Sequence, residues 1–99
     1  MKQSATDSAR CELCQRQVAL TAHHLIPRKM HRRQHFRKHY TRQQLNASIM
    51  ICRPCHSGLH KLYDEMQLAR YLNTLPLLKA DTQVMKHVQW VAKQRVVND

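Results

Sequence analysis

The chain has 99 residues, enough for one domain and too few for a second core of useful size. Hydrophobic residues make up 42%, so the chain can bury a core, but with five aromatics that core is thin and a metal staple would help it. Seventeen Lys and Arg against six Asp and Glu leave a net charge of +11, which calls for a polyanionic partner, nucleic acid before an anionic membrane surface.

No apolar run approaches the roughly 20 residues of a membrane span, and the polar start MKQSATDSAR carries no secretory h-region. Both points lead to the expectation of a cytoplasmic protein without a membrane partner. In such a compartment four cysteines stay reduced, and their paired spacing then indicates metal rather than disulfides.

In chain order, residues 1–9 are small and polar and read as a disordered tail. Residues 10–27 hold a cysteine pair, then Val18, Leu20 and the run LTAHHLIPR. They predict short strands, a hairpin, with Pro27 ending the second strand. Residues 28–44, RKMHRRQHFRKHYTRQQ, carry seven Lys or Arg and no acid, Gly or Pro, so a helix is open to them. Residues 47–51, ASIMI, predict a short buried strand leading into Cys52. Residues 54–62 predict a helix with a proline in its first turn.

Beyond that point the pattern is purely helical. Leu68, Tyr71, Leu72 and Leu75 fall at i, i+3, i+4 and i+7, and Pro76 interrupts them. Val84, Val88 and Val91 repeat the spacing behind Asp81, a candidate N-cap, with Lys93 and Arg95 near the end. These helices, in residues 63–99, are expected to buttress the preceding part of one single domain.

Cys11-Glu-Leu-Cys14 and Cys52-Arg-Pro-Cys55 are two C-x-x-C knuckles. Each brings two thiolates within reach of one ion, and two knuckles complete a tetrahedral structural zinc site held by all four cysteines. The 37 intervening residues are no obstacle if the fold brings the knuckles together. A redox C-x-x-C would not need two copies.

His56 and His60 follow at i and i+4, a spacing that stacks two imidazoles on one helix face, as metal grips do. A third ligand is available in His23 or His24. Neighbours on a strand point to opposite faces, so one can turn toward the helix while the other stays off the metal. A metal-free imidazole titrates near pH ~6.5 and suits a general base. Spacing alone does not assign the two roles.

His23-His24-Leu25-Ile26-Pro27, Asn46, then Cys52-Arg-Pro-Cys55-His56 and His60 together resemble the HNH nucleases, the ββα-metal or His-Me finger group, in the variant stapled by two C-x-x-C knuckles. The resemblance covers residues 10–62. It implies an α+β fold: a small ββα-metal core with a four-cysteine zinc staple and additional C-terminal helices. It makes His23 a ligand of a catalytic ion with His56 and His60, where many relatives use Asp. It makes His24 the general base and Asn46 the residue bracing the loop that holds it. The implied activity is that of a metal-dependent endonuclease or nickase acting on DNA.

The chain departs from that pattern in two places. The segment between His24 and Asn46 lacks glycine and is strongly basic, and the three ligands are all imidazoles. Three nitrogens favour Zn2+, Ni2+, Co2+ or Mn2+ over Mg2+, which prefers oxygen.

Arg28, Lys29, Arg32, Arg33, Arg37, Lys38 and Arg42 read as phosphate contacts, with Phe36 and Tyr40 available to pack or stack. His31, His35 and His39 recur every fourth position and would form a stripe on a helix, but no carboxylate or cysteine lies nearby to complete a metal site. Gly58, the single glycine, stands between the two helical ligands, where a bare surface would let a nucleic-acid strand or phosphate approach. The competing reading of the whole chain is a non-catalytic zinc-stabilised module that binds nucleic acid through residues 28–42.

Overall fold

Two strands, β1 (Leu20–His24) and β2 (Ser48–Cys52), pair antiparallel with Leu20 opposite Cys52 and His24 opposite Ser48. They belong to a computed structural model that describes residues 9–95, so the tail expected over residues 1–9 lies, save residue 9, outside the described residues. In β2 the pleat turns Ile49 and Ile51 inward and leaves Ser48 and Met50 exposed. Their cross-strand partners are His23 and Thr21, so those two side chains share the inner face.

Helix α3 (Arg53–Leu62) follows β2 without a loop. Pro54 lies in its first turn, where its missing N–H costs no hydrogen bond. Between the strands run a 3-10 turn (Arg28–Met30), α1 (Gln34–His39) and α2 (Arg42–Leu45). Thr41 and Gln44 form a capping box that starts α2. After α3 come α4 (Glu65–Tyr71), α5 (Leu75–Ala80) and α6 (Thr82–Ala92). A second capping box, Asp64 with Gln67, opens α4, and Asp81 caps α6 as the sequence predicts.

One apolar cluster runs from Cys11 and Leu13 through Ile49, Ile51 and Leu59 to Leu68, Leu78, Val84, Val88 and Val91. The C-terminal helices therefore share a core with the cysteine-bearing part, and α6 packs directly on α3. A smaller cluster, Ile26, Met30, Phe36 and Ala69, seats the basic segment against α4. Among the described residues no helix is long and apolar enough to cross a membrane.

Three sequence expectations need correction. Residues 10–27 form no hairpin, because their strand β1 pairs with β2 and the first knuckle is a tight turn. There Cys11 N–H donates to Arg16 O at 3.0 Å and Gln15 takes a positive φ of 68°. Cysteines three apart on a strand would face opposite sides, so a shared ion requires the turn.

The histidine stripe forms only in part: the His35 and His39 rings lie 4.6 Å apart on α1, but His31 falls outside the helix. His31 lies ahead of α1 and donates from Nε2 to Ile26 O at 2.7 Å, while His39 Nδ1 donates to His35 O at 2.8 Å. Finally, the helical break near Pro76 falls earlier, at Leu72, where the backbone leaves the helix at φ −131°. Pro76 instead sits in the first turn of α5 behind the Thr74 cap, a position that proline favours.

Candidate functional site

The two knuckles meet beside the sheet. Cys11, Cys14, Cys52 and Cys55 are all buried, and their four Sγ atoms lie within 4.8 Å of one another. Cys14 and Cys52 Sγ stand 3.7 Å apart, close to the ~3.8 Å edge of a tetrahedron with zinc–sulfur arms of about 2.3 Å. The cluster can hold a metal such as zinc. Glu12 ties the first knuckle to β2: its N–H donates to Met50 O at 3.0 Å and its Oε2 accepts from Met50 N–H at 2.6 Å.

Cys11 Sγ accepts the N–H groups of Cys14 and Cys52, each at 3.3 Å. A hydrogen bond from Cys55, reinforced by those amides, draws the Cys11 thiol down despite its burial. The same bond to Cys11, together with burial, pushes Cys55 up, and burial pushes Cys14 up. The Cys11 thiolate is thus favoured while Cys14 and Cys55 resist ionisation, a conflict that a bound cation would remove by deprotonating them.

Arg16 carries no motif in the sequence, yet it lies against this cluster. Its Nη2 donates to Cys52 Sγ at 3.7 Å and its Nη1 donates to Gln94 O at 3.3 Å, just past α6. No spacing rule points to it; only the turn after Cys14 brings it there.

The second convergence involves histidines. His23, His56 and His60 each offer a ring nitrogen, and these atoms lie within 4.8 Å of one another. Helix α3 supplies two of them one turn apart, and the inward face of β1 supplies the third. His23 is 1% exposed, and its Nε2 is a buried polar atom with no hydrogen-bond partner among the described residues. Such an orphaned atom costs roughly 1–3 kcal/mol unless something else satisfies it. Burial foremost, then the neighbouring imidazoles, lowers the His23 pKa to about 4, and burial lowers that of His56. Both rings are therefore held neutral, the form that coordinates metal.

These residues line a cleft of about 190 Å³ with Ala22, His24, Pro27, Arg28 and Glu65. His24, on the other face of β1 and half-buried, enters the cleft because the chain bends directly after it. The bend is held by Leu25 N–H donating to Ala47 O at 3.1 Å. Asn46 does not provide that brace. It ends α2 with its side chain exposed and without a hydrogen bond among the described residues.

Arg28, Lys29, Arg32, Arg33, Arg37, Lys38 and Arg42 are all exposed, and Arg28 reaches the cleft. Lys29 pairs with Glu65 at 3.4 Å, and none of the other six makes an ion pair among the described residues. Phe36 is buried and Tyr40 stacks beside it with ring centroids 5.9 Å apart, so the aromatics anchor this segment from beneath. Gly58 is not an open surface: it is buried, and the space a Cβ would take is filled by the His87 ring from α6.

No family model matches the chain, and no solved structure matches it significantly. Its sequence is 35% identical over 85 residues to an uncharacterized protein, YisB, of Bacillus subtilis (strain 168). That stretch spans 85% of this chain and 74% of the relative. Identity of this level across most of both proteins places the chain in one family with YisB.

Proposed function

We propose that this protein is a metal-dependent endonuclease or nickase of the HNH, ββα-metal type, with a structural zinc on its four cysteines. The observation that carries the reading is the buried Nε2 of His23, without a partner among the described residues, beside His56 and His60 in a cleft that also contains His24 and Arg28. The order of β1, β2 and then α3 without a loop supports it as well.

A divalent ion held by these three imidazoles would supply Lewis-acid stabilisation of charge developing on a phosphodiester. The chain's own residues do the rest. His24 stands off the three-imidazole cluster and takes the proton from an attacking water. Arg28, in the same cleft, binds a phosphate oxygen and orients the scissile bond. Lys29, Arg32, Arg33, Arg37, Lys38 and Arg42 hold the flanking DNA backbone. Phosphate contacts read little base sequence, so binding weakens steeply with salt and discriminates poorly. The all-imidazole donor set selects Zn2+, Ni2+, Co2+ or Mn2+ ahead of Mg2+.

Nicking of supercoiled plasmid with each of these ions, comparing wild type with His24→Ala, tests the proposal. Wild type is expected to cut, and His24→Ala to lose about 10²-fold or more in rate while still binding DNA. Equal cutting by both would overturn the role of His24. DNA binding with no cutting by either would favour a non-catalytic zinc-stabilised module.

A further inference from the structure

The hydroxyl of Thr21 lies between two groups. Its Oγ1 is 3.0 Å from Ile51 O and 2.9 Å from His56 Nδ1. A threonine hydroxyl has a single proton, and a carbonyl oxygen can only accept. For both contacts to be hydrogen bonds the proton goes to Ile51 O, and the Thr21 oxygen is left as an acceptor toward His56. That pair of bonds requires a proton on Nδ1 of His56, which leaves its Nε2 bare.

We infer that Thr21 is a positioning residue that locks the His56 tautomer and ring orientation, so that Nε2 faces His23 and His60 as a ready metal ligand. Register explains why Thr21 can do this. It sits two residues before His23 on the inner face of β1, opposite Ile51, and this is the face that α3 covers. One β-strand thus contributes a ligand and the hydrogen-bond partner of a second ligand. Partners of this kind typically change metal affinity by about 10- to 100-fold when removed. The inference rests on the reading of the three histidines as a metal centre, but the tautomer itself exists without the ion.

The test uses full-length protein with its cysteine site zinc-loaded, as wild type, Thr21→Val and Thr21→Ser. Two-bond proton–nitrogen spectra of the imidazoles, recorded without added metal, report the His56 tautomer. Co2+ titration followed by its visible absorption reports affinity at the histidines. The expected result is an Nδ1–H His56 in wild type and Thr21→Ser, with Co2+ affinities within about threefold of each other. Thr21→Val should populate the Nε2–H form and bind Co2+ about 10- to 100-fold more weakly, at unchanged fold by circular dichroism. An Nε2–H His56 in wild type, or unweakened Co2+ binding by Thr21→Val, overturns the lock. If wild type shows the Nδ1–H tautomer but binds no Co2+ at the histidines, the metal-centre reading fails, and the role given to Thr21 fails with it.

Discussion

The imidazole of His87 occupies the place where a side chain on Gly58 would begin. From α6 it reaches across to α3, bonds Pro54 O at 2.9 Å through Nε2, and stacks on Trp90 with centroids 5.9 Å apart. The helix that carries His56 and His60 is therefore held against the C-terminal helix at its one residue without a Cβ.

This relationship gives a sign reversal. Gly58→Ala gains roughly 1 kcal/mol of helix propensity but must displace the His87 ring, at a cost of about 1–3 kcal/mol. In wild type the substitution is expected to be neutral to destabilising. In a His87→Ala background the collision is gone, and the same change should stabilise by about 1 kcal/mol. Urea unfolding midpoints of the four proteins measure the coupling; equal effects in both backgrounds would remove His87 as the reason for the glycine.

His23 sets a pH dependence. Unfolded, its imidazole has the ordinary value of 6.5; folded, burial lowers it to about 4. Between those values the unfolded chain binds a proton that the folded chain refuses, so stability is full above about pH 6.5 and falls as pH drops toward 4. The loss approaches on the order of 3 kcal/mol for this residue, and His56, lowered in the same direction, adds to it. His23→Leu should flatten much of this slope in protein stripped of ions at the histidines. It should also abolish any stabilisation by added Co2+ or Ni2+. Chemical unfolding across the pH range shows both, and an unchanged slope would discount the buried imidazole.

Arg16 places a cation against a cluster whose thiolates carry excess negative charge when they hold zinc. Arg16→Gln should leave the four cysteines in place and speed zinc loss to a chelator by about 10-fold or more. Colorimetric zinc release reads this directly. Lys at the same position should restore charge but not the two-pronged contact to Cys52 and Gln94, giving an intermediate rate.

Asp81 serves two elements through one oxygen, accepting from Val84 N–H at 3.0 Å and from Tyr63 O–H at 2.8 Å. Asp81→Ala removes the α6 cap, at about 1 kcal/mol, and frees the tyrosine hydroxyl to water. Tyr63→Phe loses only one solvent-accessible hydrogen bond and should cost less. Thermal unfolding ranks the two; a larger loss for Tyr63→Phe would contradict the shared-oxygen account.

Asn46 makes a contrast with His24. The loop after His24 is tied by the backbone of Ala47, so Asn46→Ala is expected to leave the melting temperature unchanged and the proposed plasmid nicking within about twofold of wild type. A drop comparable to that of His24→Ala would assign Asn46 a part that its exposed side chain in this structure does not play.

Much of the candidate site could be read locally because its spacings are local. C-x-x-C, His-x-x-x-His and the Asp81 cap each lie within one turn of chain, where backbone geometry dictates what meets what. The hairpin suggested by Val18 and Leu20 does not form, because β1 finds its partner in β2, far along the chain. The break falls at Leu72 and not at Pro76, which reads as a helix stop but in a first turn is a start.

From the sequence alone came the two cysteine knuckles, the helical histidine pair, the strand before Cys52, the valine-faced last helix and the surplus of cations, all properties of residues near one another in the chain. Tertiary structure decided which of two adjacent histidines turns inward, that Thr21 and Arg16 stand beside the metal-competent clusters, that Gly58 accommodates a ring rather than a ligand, and that Asn46 points to solvent. Those choices depend on the β1–β2 register and on how α6 lies against α3. Both are set by the joint burial of side chains far apart in the chain, which no local spacing encodes.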